Sequence, residues 1–150
     1  MNYYEAVQLP EINLSAACEE LFKLEKIMKP RYSGAKDWIS TDLVKEYTPQ
    51  RILRVCPYIC GWLFGTRYKT VYAAILKSKG YIDWHSDQMH KTMSKTINFY
   101  LHCDENSFIE FEGGYVWVPR EGHAFRFRSD IPHRVLNLSK EDRLMLSLTE

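Results

Sequence analysis

The amino-acid sequence predicts a mainly β fold, a jelly roll of about eight short antiparallel strands with N-terminal helices packed on one sheet. Three observations predict it. Turn residues divide the second half into short segments at close intervals. Apolar and polar side chains alternate within those segments, as on strands with two unlike faces. Ahead of about residue 68, apolar residues recur instead at helical spacing. The 150 residues, 45% of them hydrophobic and 14% aromatic, fit one domain: a helical support region over 1–68 and a β core over 69–150.

The first helix is read from Leu14, Ala17, Cys18, Leu21, Phe22, Leu24 and Met28. Asn13 or Ser15 would cap it and Pro30 would stop it. A second helical stretch is expected to start at Ser40 or Thr41 and run through Leu43 and Val44. A third starts at Thr48-Pro49, with Thr48 as cap and Pro49 in the first turn, so that Ile52, Leu53, Val55 and Cys56 share one side. The Leu, Cys and Tyr positions of residues 50–64 are assigned to the core. Cys56 and Cys60 lie four apart, on one helical face, and no second Cys pair completes a zinc site. With Cys18 and Cys103 they are read as reduced thiols.

The strands are placed near 69–77, 81–86, 95–102, 107–111, 114–118, 123–128, 133–138 and 143–149. The breaks include Lys79-Gly80, Asp104-Glu105-Asn106, Gly113-Gly114 and Arg120-Glu121-Gly122. In the last strand Leu144, Leu146 and Leu148 share one face, and Arg143, Met145 and Ser147 the other. In 95–102, Ile97, Phe99 and Leu101 oppose Thr96, Asn98 and Tyr100. The apolar faces are expected under the helices. The other faces, polar and chemically useful, would look into a pocket.

Trp84-His85-Ser86-Asp87 is the sharpest local feature. Residues i and i+2 of an extended segment point the same way, so His85 and Asp87 can reach one ion. His133 opens a later strand after Ile131-Pro132, 48 residues beyond His85, and is the candidate third ligand. Two imidazoles and a carboxylate on one face of an octahedral ion leave three positions open, a set that suits non-haem Fe(II). Arg143 follows ten residues after His133. Its planar fork matches a carboxylate. If the turn after His133 folds the last strand back, Arg143 sits beside the metal, placed to hold the far end of a diacid.

The stretch from about Tyr72 to Thr149 resembles the double-stranded β-helix core of the Fe(II)/2-oxoglutarate-dependent oxygenases. GYIDWHSD is similar to that family's metal-binding strand. PREGHAFRF followed by IPHRVLNLSKEDRLMLSL is similar to its closing segment, most of all in the aspartyl/asparaginyl β-hydroxylase and proline hydroxylase branch. The resemblance covers about half the chain. It implies iron ligands His85, Asp87 and His133, a 2-oxoglutarate anchor at Arg143, and Fe(II), 2-oxoglutarate and O2 as cofactor and co-substrates. The implied reaction hydroxylates an aliphatic C–H, of an amino acid or a peptidyl side chain, with release of succinate and CO2. Where that branch carries Arg-x-His on its third strand, this sequence reads Thr96-Ile97-Asn98. Thr96 and Asn98 are therefore assigned to 2-oxoglutarate as uncharged partners.

Trp84, Gln88, His90, Tyr115, Trp117, Arg126 and Arg134 are the candidate substrate contacts, with loop 87–94 as a lid. Against these stand plainer readings: His90, His102 and His123 as surface or packing residues, His90 least securely because it neighbours the site, Trp84 and Trp117 as packing residues, Arg126 and Arg128 as a solvated face alternating with Phe125 and Phe127, and Asn137 as serving the sheet. Two rival readings keep the fold. One is a cupin-like protein using Zn or Mn, against which Arg143 argues. The other is a small-acid-binding protein without oxygenase activity, against which the full ligand set argues. Lys and Arg number 20 against 19 Asp and Glu, a net charge of +1, which gives no electrostatic pull toward nucleic acid. No stretch is long and apolar enough to cross a membrane. The start of the chain has no basic segment followed by an apolar run, so a cytoplasmic protein is expected. The expected partners are a small-molecule or peptidyl substrate. No mark of an oligomeric state is visible.

Overall fold

The computed structural model describes residues 2–63, 66 and 68–150. Helix α1 (Leu14–Leu24) starts where the side chain of Asn13 accepts the Ala16 N–H at 3.0 Å. That bond satisfies one of the N–H groups a helix start leaves open. The helix tightens into a 3-10 turn over Glu25–Ile27 and ends before Pro30. Helix α2 (Pro49–Val55) starts at Thr48, whose hydroxyl accepts the Arg51 N–H at 3.2 Å. Helix α3 (Pro57–Trp62) follows at once and is capped from another element. The two carboxylate oxygens of Glu20, on α1, accept the N–H groups of Tyr58 and Ile59, each at 2.8 Å. Cys56 is buried as expected and Tyr58, Cys60 and Leu63 are half-buried, but Leu53 is 56% exposed and leaves the apolar side assigned to it. A helix of two turns has one narrow buried stripe, and Ile52 and Val55 occupy it. Phe64, at the end of that assigned core, lies outside the described residues.

The first 68 residues are not purely helical. They hold β1 (Tyr4–Val7), β2 (Lys29–Pro30) and β3 (Ala35–Asp42). The helix expected from Ser40 or Thr41 through Val44 is absent, and β3 occupies its start. Asp42 explains the difference. Its carboxylate accepts the N–H groups of Val44 and Lys45, at 3.0 and 3.3 Å, so the polar signal closes a turn after a strand instead of opening a helix. β1 and β2 are too short, and too exposed, to show a periodic pattern.

The strands expected at 69–77 and 81–86 are one, β4 (Thr70–His85), 16 residues long. Lys79-Gly80 bends it without breaking it. Lys79 has φ 66° and Asp37, at the matching bulge of β3, has φ 57°. Gly80 is required by space: a Cβ there would lie 2.7 Å from the Lys36 carbonyl oxygen. Six more strands follow: β5 (Thr96–His102), β6 (Ser107–Phe111), β7 (Val116–Trp117), β8 (Ala124–Phe127), β9 (His133–Asn137) and β10 (Arg143–Thr149).

Their order is β1-β8-β5-β10-β4-β9-β6-β7, with β3 on the other side of β4 and all pairs antiparallel. β4 pairs with β10 over Thr70–Leu76 and with β9 near Tyr81–His85, so it belongs to both walls of a jelly roll. One apolar layer lies between helices and sheet. There Ile97, Phe99, Leu144, Leu146 and Leu148 meet Ala17, Leu21 and Ile59. The second fills the space between the walls, with Leu76, Tyr100 and Met145 facing Ile109, Phe111 and Val135. The two faces of β10 thus separate as the alternation predicts. The four cysteines are free, and burial pushes the thiols of Cys18 and Cys103 up to about 11 and that of Cys56 to about 12.

Candidate active site

His85 ends β4 and His133 opens β9, and the two are directly paired across the ladder. Their ring centroids lie 4.4 Å apart. Asp87 follows two residues after His85, and its N–H is fixed by the Ser129 carbonyl at 2.8 Å. The three residues bring one ligand atom each to within 4.8 Å of one another. Nε2 of His85 lies 3.4 Å from one Asp87 oxygen, and Nε2 of His133 lies 3.6 Å from the other.

Both imidazoles are oriented by the backbone two residues earlier. Nδ1 of His85 lies 2.7 Å from the Asp83 carbonyl, and Nδ1 of His133 lies 2.8 Å from the Ile131 carbonyl. A carbonyl only accepts, so Nδ1 of each ring carries the hydrogen and Nε2 keeps its lone pair for an ion. Contact with Asp87 holds His85 above the ordinary histidine range, whereas burial lowers His133. Asp87 is partly desolvated, which opposes ionisation, but His85 and the charge of both imidazoles hold its carboxyl below the usual range. Two Nε2 lone pairs and an ionised carboxylate on one side of a common point are a donor set for a divalent transition ion.

The three donors open into a cavity of about 580 Å³ that also contains Thr96, Asn98, Tyr100 and Arg143. Arg143 is 4% exposed. No carboxylate lies within ion-pair distance of it among the described residues, and its Nε and Nη1 are buried without a hydrogen-bond partner. Its guanidinium carbon stands 5.5 Å from the Tyr100 ring centroid. Burial lowers the Arg143 pKa and pushes the Tyr100 phenol up to about 12, against the pull of the guanidinium. A buried, unpaired cation is costly unless an anion joins it. The residues therefore fit a divalent ion at one point of the cavity and a carboxylate at another.

Asn137 supports this arrangement from behind. Its side-chain N–H groups reach the carbonyls of Leu76, Lys77 and Glu141 at 2.9, 3.2 and 3.0 Å, tying the turn before Arg143 to β4. Of the expected substrate contacts, Gln88 and His90 line the cavity and loop 87–94 borders it. The other five do not line it. Trp117 is 4% exposed and packs among Tyr4, Phe125 and Phe127. Tyr115 stacks on Tyr3. Arg126 pairs with Glu150 at 2.7 Å, and Arg134 with Glu110 at 2.9 Å, its guanidinium lying over Trp84. Each of these side chains finds its partner outside the cavity. Trp38, Tyr72, Ser147 and Thr149 line the cavity instead. Ser147 was legible as facing the same way as Arg143, whereas Trp38 sits on a strand that carried no strand signal.

No family model matches the sequence, and no curated protein does. Solved structures do match. A prolyl-4-hydroxylase from Pseudomonas putida superimposes with a TM-score of 0.62 at 13% identity, over 100% of this chain and 94% of that one. A prolyl hydroxylase from Trichoplax adhaerens, in complex with a hypoxia inducible factor peptide fragment, gives 0.64 at 12% identity, over 99% and 83%. HygX from Streptomyces hygroscopicus, with nickel and 2-oxoglutarate bound, gives 0.60 at 10% identity, over 98% and 82%. The chain has the jelly-roll fold seen in these hydroxylases and in HygX, with a His, Asp and His set gathered in its cavity.

Proposed function

We propose that this protein is an Fe(II)- and 2-oxoglutarate-dependent dioxygenase that hydroxylates an aliphatic C–H, of an amino acid or a peptidyl side chain, and releases succinate and CO2. One observation carries the reading. A cavity that gathers His85, Asp87 and His133 also holds a buried Arg143 with no anionic partner among the described residues. Metal-assisted hydrolysis or isomerisation does not need a diacid anchor at that place, whereas 2-oxoglutarate does. The same residue disfavours a cupin-like metal protein, and the tautomers set by Asp83 and Ile131 favour metal binding over simple recognition of an acid.

In this reading His85, Asp87 and His133 hold the ion, and Arg143 takes the far carboxylate of 2-oxoglutarate. Asn98 and Thr96 hydrogen-bond its metal-side end. The ion, when bound, supplies activation of O2 and the oxidising power for C–H cleavage. The chain's own contribution is placement. The Asp83 and Ile131 carbonyls fix the imidazoles, Tyr100 and Met145 exclude water beside the diacid, and loop 87–94 borders the opening.

The test is anaerobic titration of the Fe(II) protein with 2-oxoglutarate, followed by aerobic succinate release across amino acids and peptides. A visible charge-transfer band and stimulated succinate release are expected, and His133→Ala should abolish both. A protein that binds Fe(II) yet shows neither the band nor succinate with any acceptor would refute the assignment.

A further inference from the structure

We propose that the substrate enters as an anionic molecule in which any amine is acylated, and that Lys95 pairs with its acid. This rests on the reading above and narrows its substrate class. β10 turns Arg143, Met145, Ser147 and Thr149 toward the cavity, two residues apart and so roughly 7 Å per step. Cross-strand pairing sets Ser147 beside Tyr72 and Asn98, and Thr149 beside Thr96. With Asn98 and Thr96 taken by the diacid, the wall grades from a cation at Arg143, through the apolar Met145, to an outer band of hydroxyls from Ser147, Thr149 and Tyr72. That outer band carries no charge.

Among the described residues the one carboxylate lining the cavity is Asp87, which faces the two imidazoles. Two acids close by are committed elsewhere. Asp130 pairs with Arg128 at 2.7 Å, and Glu150, across the rim beside Lys95, pairs with Arg126 at 2.7 Å. Glu5 lies outside this cavity, in a neighbouring depression that Lys95 and Glu150 also line, and it makes no ion pair with Lys95 among the described residues. Lys95 lines the cavity, is exposed, and has no ion-pair partner among the described residues. With a divalent ion, Asp87, Arg143 and a diacid in place the charges cancel, and Lys95 leaves the opening positive. A free ammonium would lose water there and meet only hydroxyls. A carboxylate would meet Lys95.

The experiment compares L-amino acids with their N-acetyl derivatives as matched pairs, each titrated into the Ni(II) protein loaded with 2-oxoglutarate. Calorimetry with 2-oxoglutarate alone comes first; failure there refutes the dioxygenase reading, not the charge argument. Given that binding, at least one N-acetyl amino acid should bind about tenfold or more tighter than its free partner. Lys95→Glu should shrink that ratio to about twofold or less. The proposal is overturned by a free amino acid that binds as tightly as its N-acetyl form, by a panel in which neither form binds, or by a ratio that Lys95→Glu leaves unchanged.

Discussion

Arg143 sits where folding alone would not keep it. A guanidinium buried with two nitrogens unpartnered lowers stability until an anion arrives. Arg143→Met, of similar length, is therefore expected to raise stability of the ligand-free protein by about 1–3 kcal/mol, read by urea melting. The same variant should lose affinity for 2-oxoglutarate by at least about tenfold in calorimetry. A variant less stable than the parent, or one that binds the diacid equally well, would contradict this account of the residue. The side chains of this centre were legible because their chemistry is scarce: two imidazoles, a carboxylate two residues from one of them, and a lone Arg opening a strand. The surrounding aromatics were not. Trp117 and Trp38 are chemically alike, and only the register of their strands puts one in the packed interior and the other on the cavity wall.

At the scale of elements, Glu20 joins two helices. It is 8% exposed on α1 and accepts both open N–H groups at the start of α3, where Cys56 provides no side-chain cap. Glu20→Ala should destabilise the protein by about 2 kcal/mol, and Glu20→Gln, which keeps an acceptor, by less. Denaturant melting of the two variants checks the order. This contact shows why the helical half was harder to read than the strands. Spacing identified α1 and the Thr48 cap identified α2, because those signals are local. The strand character of β3 depends on pairing with a distant β4, and its local polar residues point the other way. The strands of the second half carry alternation and turn residues together, so their positions, and the faces of β5 and β10, emerged, while the merger at Lys79-Gly80 and the shortness of β7 were missed.

For the whole molecule the bend shared by β3 and β4 is the decisive join. The carbonyl oxygens of Lys36 and Lys77 crowd the space beside Gly80, so Gly80→Ala must displace backbone. A cost of about 2 kcal/mol is expected, as for other overpacked positions. Because His85 lies five residues further along the same strand, weaker Ni(II) binding should accompany it, measured by titration. Unchanged Ni(II) affinity at reduced stability would mean that the bend does not position the metal ligands.

That bend also governs how the polypeptide can be divided. Both walls borrow the same unbroken stretch of backbone, so severing it between 78 and 80 would leave each fragment with an unfinished face and no partner to restore alignment. A cleavage within 88–93, which carries no strand, would leave the two faces whole. Co-expressed fragments split at that second place should reassemble and elute together in gel filtration, whereas those split at the first should not.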